Sequence, residues 1–346
     1  MNDFRELDPG KMYQAIYDFP DQLADSMAIG EAIKLKHNYD NVQSVIVVGM
    51  GGSAIGGDVA NMLAGDELKL PLQVVRNYRL PAWAGANTLV ICSSYSGNTE
   101  ETLAVYRQSR AKGAALIGIT TGGKIEQLLD ADGYDKIKIV PGLQPRAALA
   151  YSFVSLLYLL QHLGMIGESI AGELPATIEL LQARRDIYGA THNNPTLELA
   201  KRIAGKLPVI YGETDSTAVV AARWRGQLNE NAKMLAHTNE LPEMNHNEIV
   251  GWENNPHLLD QAYVIWLKDE SDNVRVAHRR EISNRLIDQY CRQETVAVAG
   301  PSRFVRLLHL IHFGDWLSFW CALEHGTDPT PVEKIMELKG QLEQIA

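Results

Sequence analysis

Short apolar runs alternate with helical stretches along most of this chain, and that alternation restricts the fold more than any other feature. SVIVVG (Ser44–Gly49) is a short apolar run ending in glycine, LQVVRN, NTLVICSS and AALIGITT repeat the pattern, and KIKIVP (Lys136–Pro141) reads as a fifth strand. Strands apolar on both sides belong in parallel sheets covered by helices on both faces. The order strand–helix–strand therefore predicts a doubly wound α/β fold of three αβα layers. AALAYSFVSLLYLLQHLGM reads as a helix buried on most sides.

A second block with the same grammar starts near Lys206. LPVIYG, QAYVIWLKD and ETVAVAG read as strands, AVVAARWRGQLNENAKML as a helix, and FVRLLHLIHFGDWLSFWCALEHG as a long helix. VIVVGMGGSAIGGDVA and PVIYGETDSTAVVAARW align as the same strand–turn–helix unit, so a duplication is expected. The expected divisions are an N-terminal helical segment (1–40), a first subdomain (41–165), a helical connection (166–205) and a second subdomain with C-terminal helices (206–346).

Composition removes several function classes. The formal net charge is −10, which argues against non-specific nucleic-acid binding. Cys92, Cys291 and Cys321 are far apart and form no metal-spaced cluster, so neither disulfides nor structural zinc are expected. His309 and His312 have a spacing that could face a metal, but no third ligand type accompanies them. MNDFRELDPGKMYQAIYDFP has no basic region followed by an apolar one, and no apolar run is long enough to span a membrane. A cytoplasmic location, without membrane or nucleic-acid partners, is the expectation.

Two turns carry the chemistry. GMGGSAIGGD (Gly49–Asp58) follows the first strand. It can be a tight structural turn or a dinucleotide fingerprint, since Gly49, Gly51 and Ala54 fit G-x-G-x-x-A. It can also be a phosphate site built from Gly51, Gly52 and Ser53 at a helix N-terminus. The second strand ends in Arg76 rather than an acid, which disfavours NAD and leaves NADP weakly open; no Gly-Lys-Ser/Thr follows, so a Walker A loop is excluded. SSYSGNTEET (Ser93–Thr102) follows the third strand. Asn98 and Glu101 have capping-box spacing. Ser94, Ser96 and Thr99 remain, and several hydroxyls at one helix start suit a phosphate monoester. In a parallel sheet both turns lie on the edge where ligands bind.

GGSAIGGD, a second strand and then SSYSGNTEET together resemble the sugar isomerase (SIS) domain family, whose domains bind phosphosugars through this hydroxyl-rich loop. LNENAKMLAHTNELPEMNHNEIVGW, YGETDS, PRAALAYSF, DPTPVEKIMELK and MYQAIYDFPDQL extend the resemblance over essentially the whole chain, to the phosphoglucose/phosphomannose isomerase branch. The resemblance implies two SIS-type subdomains and an aldose–ketose isomerase acting on hexose 6-phosphates through an enediol, with no metal or redox cofactor. It places the proton-abstracting base at Glu230 in LNEN. His246 in MNHNE is the ring-opening acid/base, reaching the site from the other protomer of a homodimer. Arg146 stabilises the enediolate, and Lys339 contacts substrate, with Lys334 open as an alternative. Thr330 in DPTP is a candidate pocket residue. On periodicity alone Glu230 lies opposite an apolar stripe of Val220, Trp224, Leu228 and Leu235, which reads as a solvated helical glutamate, so its role as base rests on the resemblance. A non-catalytic phosphosugar sensor is the alternative; it needs Ser53, Ser94, Ser96 and Thr99 but not Glu230 or His246.

Overall fold

The computed structural model describes residues 4–345; the ends of the expected 1–40 and 206–346 segments lie outside the described residues. The chain forms two compact units. One comprises 18–182 with 300–309; the other comprises the residues up to 17, 183–299 and those from 310 onward.

The first unit is built on five parallel strands: β1 (Ser44–Val48), β2 (Leu72–Val75), β3 (Thr88–Ser93), β4 (Ala115–Thr120) and β5 (Asp135–Lys138). Their spatial order is β2-β1-β3-β4-β5. Every residue of β3 is buried, as its unbroken apolar run requires. Val47 pairs with Ile91 and Val48 with Cys92, so the ends of β1 and β3 are level. Ile46, Val48, Val90, Cys92, Leu116 and Leu129 form one core cluster. Burial pushes the Cys92 thiol up to about 12, so it is an inert apolar side chain. The Leu149–His162 helix is buried along almost its whole length, as its composition predicts.

The second unit repeats the design with four parallel strands: β6 (Leu207–Glu213), β7 (His237–Leu241), β8 (Ala262–Leu267) and β9 (Arg292–Val296), in the order β7-β6-β8-β9. This is the order of the first four strands of the other sheet, which agrees with the duplication read from sequence. The strand β7 was not legible: HTNEL is polar, and only Leu241 is buried. It is an edge strand, where polar side chains are tolerated. Asn194, in the polar THNNP stretch, is fully buried; its side chain caps the Pro195–Ile203 helix by accepting from the Thr196 and Leu197 amides, and donates to the Tyr188 and Ala190 carbonyls. Trp316 and Trp320 are core residues, stacked at 6.5 Å. Trp316 donates to His312 Nε2, so that histidine belongs to the packing. Among the described residues no group of three or more His, Cys, Asp or Glu side chains could hold a metal ion, and no helix is long and apolar enough to cross a membrane.

Candidate active site

In the first unit the chain reverses direction across the sheet between β1 and β3. The Gly51–Ala64 helix leaves the C-terminal end of β1, and the 94–99 loop leaves the C-terminal end of β3. Such a switch point opens a crevice, and the free amides of a helix N-terminus there favour an anion. The two turns singled out in the sequence are therefore neighbours, and one hydrogen bond joins them directly: the Tyr95 amide donates to Ser53 Oγ at 3.2 Å. Ser53 and Ser94 are buried, Thr99 is half-buried, and Gly51 and Ser96 are exposed. The Ser94 and Thr99 hydroxyls are 2.9 Å apart and bond to each other. The Asn98 amide donates to Ser96 Oγ.

Glycine is required at two positions. Gly51 has φ +50°, a left-handed conformation with open space where a side chain would go. At Gly52 a Cβ would lie 2.4 Å from the Pro145 carbonyl oxygen, so backbone meets backbone there. This contact packs the 3-10 turn Pro145–Ala147 on the start of the Gly51–Ala64 helix. Arg146 sits in that turn and is only 3% exposed. It is therefore neither on the protein surface nor in the following helix, which begins at Leu149. A guanidinium stays charged at any working pH, so a buried one at an anion-receptive helix end is a strong local cation.

The capping-box expectation for Asn98 is not met. The Glu100–Ala111 helix has Thr99 at its N-cap, without a side-chain cap bond. Asn98 instead donates to the Ser96 carbonyl and accepts from the Lys124 amide, which folds the loop against the 121–125 segment. Tyr95, which the sequence reading passed over, has a larger role. Its hydroxyl donates to the Val140 carbonyl and accepts from the Leu143 amide, and its carbonyl accepts from Thr121 Oγ1. It fixes the hydroxyl loop to the segment that leads to Arg146. A lone aromatic inside a serine-rich loop is the signal that could have found it. Arg76 pairs with Asp58 on the glycine-turn helix and is thus engaged within the protein, which weakens the NADP alternative.

Glu230, His246 and Lys339 stand on three separate elements of the second unit. Glu230 is the last residue of the Thr217–Glu230 helix and is half-buried. The helix was expected to run on to Leu235; it stops at Glu230, and Leu235 is 78% exposed. The apolar stripe is thus shorter than the wheel implied, and Glu230 marks a helix end rather than a mid-helix surface. The end is held from behind. Arg223 donates to Asp315 through Nε at 3.1 Å and Nη2 at 2.9 Å, Gln227 Nε2 donates to Asp315 Oδ1 at 2.9 Å, and Asn231 Nδ2 donates to Ser318 Oγ at 2.9 Å. All five side chains are buried. Burial raises the Asp315 carboxyl above its usual range while the Arg223 charge opposes the rise.

His246 ends the 3-10 turn Glu243–His246 and is exposed. Its neighbours fix the loop. Asn245 Nδ2 donates to Ser283 Oγ at 2.7 Å and Asn247 Nδ2 to Glu243 Oε1 at 2.7 Å. Glu248 accepts from Tyr211 Oη at 2.5 Å and Asn239 Nδ2 at 2.5 Å, and His237 Nε2 lies 3.2 Å away. Burial alone would raise the Glu248 carboxyl, but these donors outweigh it and hold it below the ordinary range. The His246 ring itself takes no hydrogen-bond partner among the described residues. Lys334 and Lys339 are both exposed on the Glu333–Leu342 helix, about 140° apart around its axis by helical geometry.

The corresponding edge of the second sheet carries acids beside its hydroxyls Thr214, Ser216 and Thr217. Glu213 ends β6, and both its oxygens accept from the Asn273 amide at 3.2 Å. Burial and the neighbouring Asp272 push its carboxyl up to about 6. Asp272 also pairs with Arg280.

A family model described as the bacterial phospho-glucose isomerase C-terminal SIS domain matches residues 192–342. A bifunctional phosphoglucose/phosphomannose isomerase of Caldicellulosiruptor bescii is 41% identical over 96% of this chain and 99% of its own length. One from Aquifex aeolicus is 34% identical over 88% of this chain and 92% of its own. Among solved structures, a hypothetical protein of Thermus thermophilus superposes with a TM-score of 0.71 at 15% identity, covering 97% of this chain and 91% of that one, a likeness of fold. This identity over nearly the full length shows that the chain belongs to the bifunctional phosphoglucose/phosphomannose isomerase family.

Proposed function

We propose that this protein interconverts glucose 6-phosphate and mannose 6-phosphate with fructose 6-phosphate. The observation that carries the reading is the first unit's cradle, where a helix N-terminus, a Ser94–Thr99 hydroxyl pair and the buried Arg146 are packed together through Gly52. The Gly51, Gly52 and Ser53 end with Ser94, Ser96 and Thr99 holds the phosphate. His246 moves the proton that opens the sugar ring. Glu230 takes the proton from C2 of the open aldose. The C–H electron pair becomes the C1=C2 bond, negative charge develops on O1, and the Arg146 guanidinium stabilises it. The proton returns at C1 while the O2 hydrogen passes to the anionic O1, leaving a ketone at C2 and a hydroxyl at C1. Abstraction from either C2 epimer leads to the same enediol; for one base to serve both aldoses, the intermediate rotates about C2–C3 so that its other face meets Glu230. Each step is a proton transfer beside a fixed cation, so we propose a metal-independent reaction.

The sensor alternative explains the cradle but not why a glutamate is held at a helix end by a buried five-residue network. Catalysis gives that network a purpose. A homodimer with His246 supplied across the interface is part of the proposal. Its support is the exposed His246 ring and the Glu333–Leu342 helix, which buries no residue in the single chain and exposes Ile335, Met336, Leu338 and Leu342. A ten-residue helix gains little stability by itself in water, so a partner surface is expected. A cytoplasmic location suits the same chemistry, and we propose 41–165 and 206–346 as the sheet-bearing subdomains.

The test is turnover of each hexose 6-phosphate in chelator-treated buffer, beside Glu230→Gln. Formation of fructose 6-phosphate from both aldoses, and a loss of about 10²–10⁴ in kcat for Glu230→Gln, are expected. Phosphosugar binding without turnover would establish the sensor. Hybrid dimers of Glu230→Gln and His246→Ala protomers should regain activity if the site is shared.

A further inference from the structure

We infer that Lys233 is a positioning residue for the base, setting the end of the Glu230 helix against the 328–329 backbone; this rests on Glu230 being the base. Lys233 lies three residues after the helix ends and has φ +54°, a left-handed conformation that a lysine rarely adopts. Its reversed backbone sends the side chain back over the helix terminus. There Nζ donates to the Glu230 carbonyl at 2.8 Å and the Asn231 carbonyl at 3.3 Å. The same ammonium donates to the Asp328 carbonyl at 2.9 Å and the Pro329 carbonyl at 3.1 Å. One cation thus gathers four carbonyl oxygens from two stretches of chain 95 residues apart.

The chemistry suits a base at this point. The last turn of a helix exposes unpaired carbonyls and is the least favourable place along it for a carboxylate. A cation lying on those carbonyls offsets their negative ends, as the dipole prefers. An ammonium has three rotatable donors in a compact head, so one of them is shared among the four carbonyls. The 328–329 stretch leads directly into the Glu333–Leu342 helix that carries Lys334 and Lys339. Lys233 therefore couples the place of Glu230 to the start of the segment bearing Lys334 and Lys339. The network of Arg223, Asp315 and Gln227 braces the helix from its side; Lys233 braces it at the end.

The experiment uses full-length Lys233→Cys, a single folded preparation divided in two. One portion is alkylated with 2-bromoethylamine, which rebuilds an ammonium one thioether away from lysine; the other is alkylated with iodoacetamide, which leaves a neutral amide. Wild type treated in the same two ways controls for Cys92, Cys291 and Cys321, and intact mass reports labelling. kcat and KM for fructose 6-phosphate are measured for each, with Glu230→Gln alongside. The neutral form should lose about 10–10² in kcat, the cost of misplacing a reacting group by a fraction of an ångström to one, with KM changed less than about three-fold. The aminoethyl form should recover most of that loss. Equal kcat in the charged and neutral forms overturns the inference, as does a loss confined to KM. If Glu230→Gln retains full turnover, it is the base assignment that fails, whatever Lys233 does.

Discussion

Gly52→Ala tests the cradle at its tightest point. The added Cβ would sit 2.4 Å from the Pro145 carbonyl oxygen and 2.8 Å from its carbon. Ordinary contact needs about 1 Å more, and neither partner is a flexible side chain, so the Pro145–Ala147 turn must move. Overpacking of this kind costs about 1–3 kcal/mol. The larger effect is on Arg146, which travels with the turn. A shift of about 1 Å in a charge-stabilising group costs on the order of 10² in rate. Gly52→Ala should therefore lower kcat/KM by about 10–10², and lower the melting temperature by several degrees. Gly51→Ala separates the causes. Its Cβ meets nothing within 4 Å, so its cost is left-handed backbone strain, about 1 kcal/mol, and its kcat/KM should fall less. A double-mutant cycle with Arg146→Ala completes the test: Arg146→Ala should cost less in the Gly52→Ala background, because the guanidinium is already displaced. Steady-state kinetics with fructose 6-phosphate and thermal melts are sufficient. Wild-type kcat/KM and stability in Gly52→Ala, or strict additivity with Arg146→Ala, would refute the account of how Arg146 is placed.

Asp315→Ala should destabilise the protein by about 3–5 kcal/mol in urea titration, because it leaves the buried Arg223 guanidinium without its counter-charge. Glu213→Gln should stabilise at high pH. The carboxyl is raised from 4.5 to about 6, so the folded state holds a proton the unfolded state has lost in that window, and stability falls as pH rises through it. The neutral amide has no charge to desolvate beside Asp272, so it removes that pH-dependent penalty. Melts of both proteins at pH 4.5 and pH 8 check it, and a gain that fails to shrink at the lower pH contradicts it.

How far the sequence could be read depended on the kind of force at each position. Strands β1, β3, β4, β6 and β8 are apolar runs because both sheet faces are covered, and a run of that kind is visible without a structure. β7 is held by its ladder to β6 and by the Glu248 contacts, and neither leaves an apolar pattern in HTNEL. The hydroxyl loop was legible as chemistry, but its internal bonding was not: Asn98 had the spacing of a cap and serves the 121–125 segment instead. The point where the Glu230 helix stops was hidden for a similar reason. NAKML continues the helical composition, and it is the left-handed Lys233 with its four carbonyl contacts that turns the chain away. Arg146 could be picked out by motif, yet its burial comes from the approach of Gly52 to Pro145, two positions 93 residues apart.

The central claim is proton transfer by Glu230 through a common enediol. It is tested most directly by incubating the enzyme with fructose 6-phosphate in D₂O and following the products by NMR. The account predicts both glucose 6-phosphate and mannose 6-phosphate with solvent deuterium at C2, and suppression of both products together in Glu230→Gln by about 10²–10⁴. Products that retain only the substrate's own hydrogen through many turnovers, or wild-type deuterium incorporation in Glu230→Gln, would contradict it.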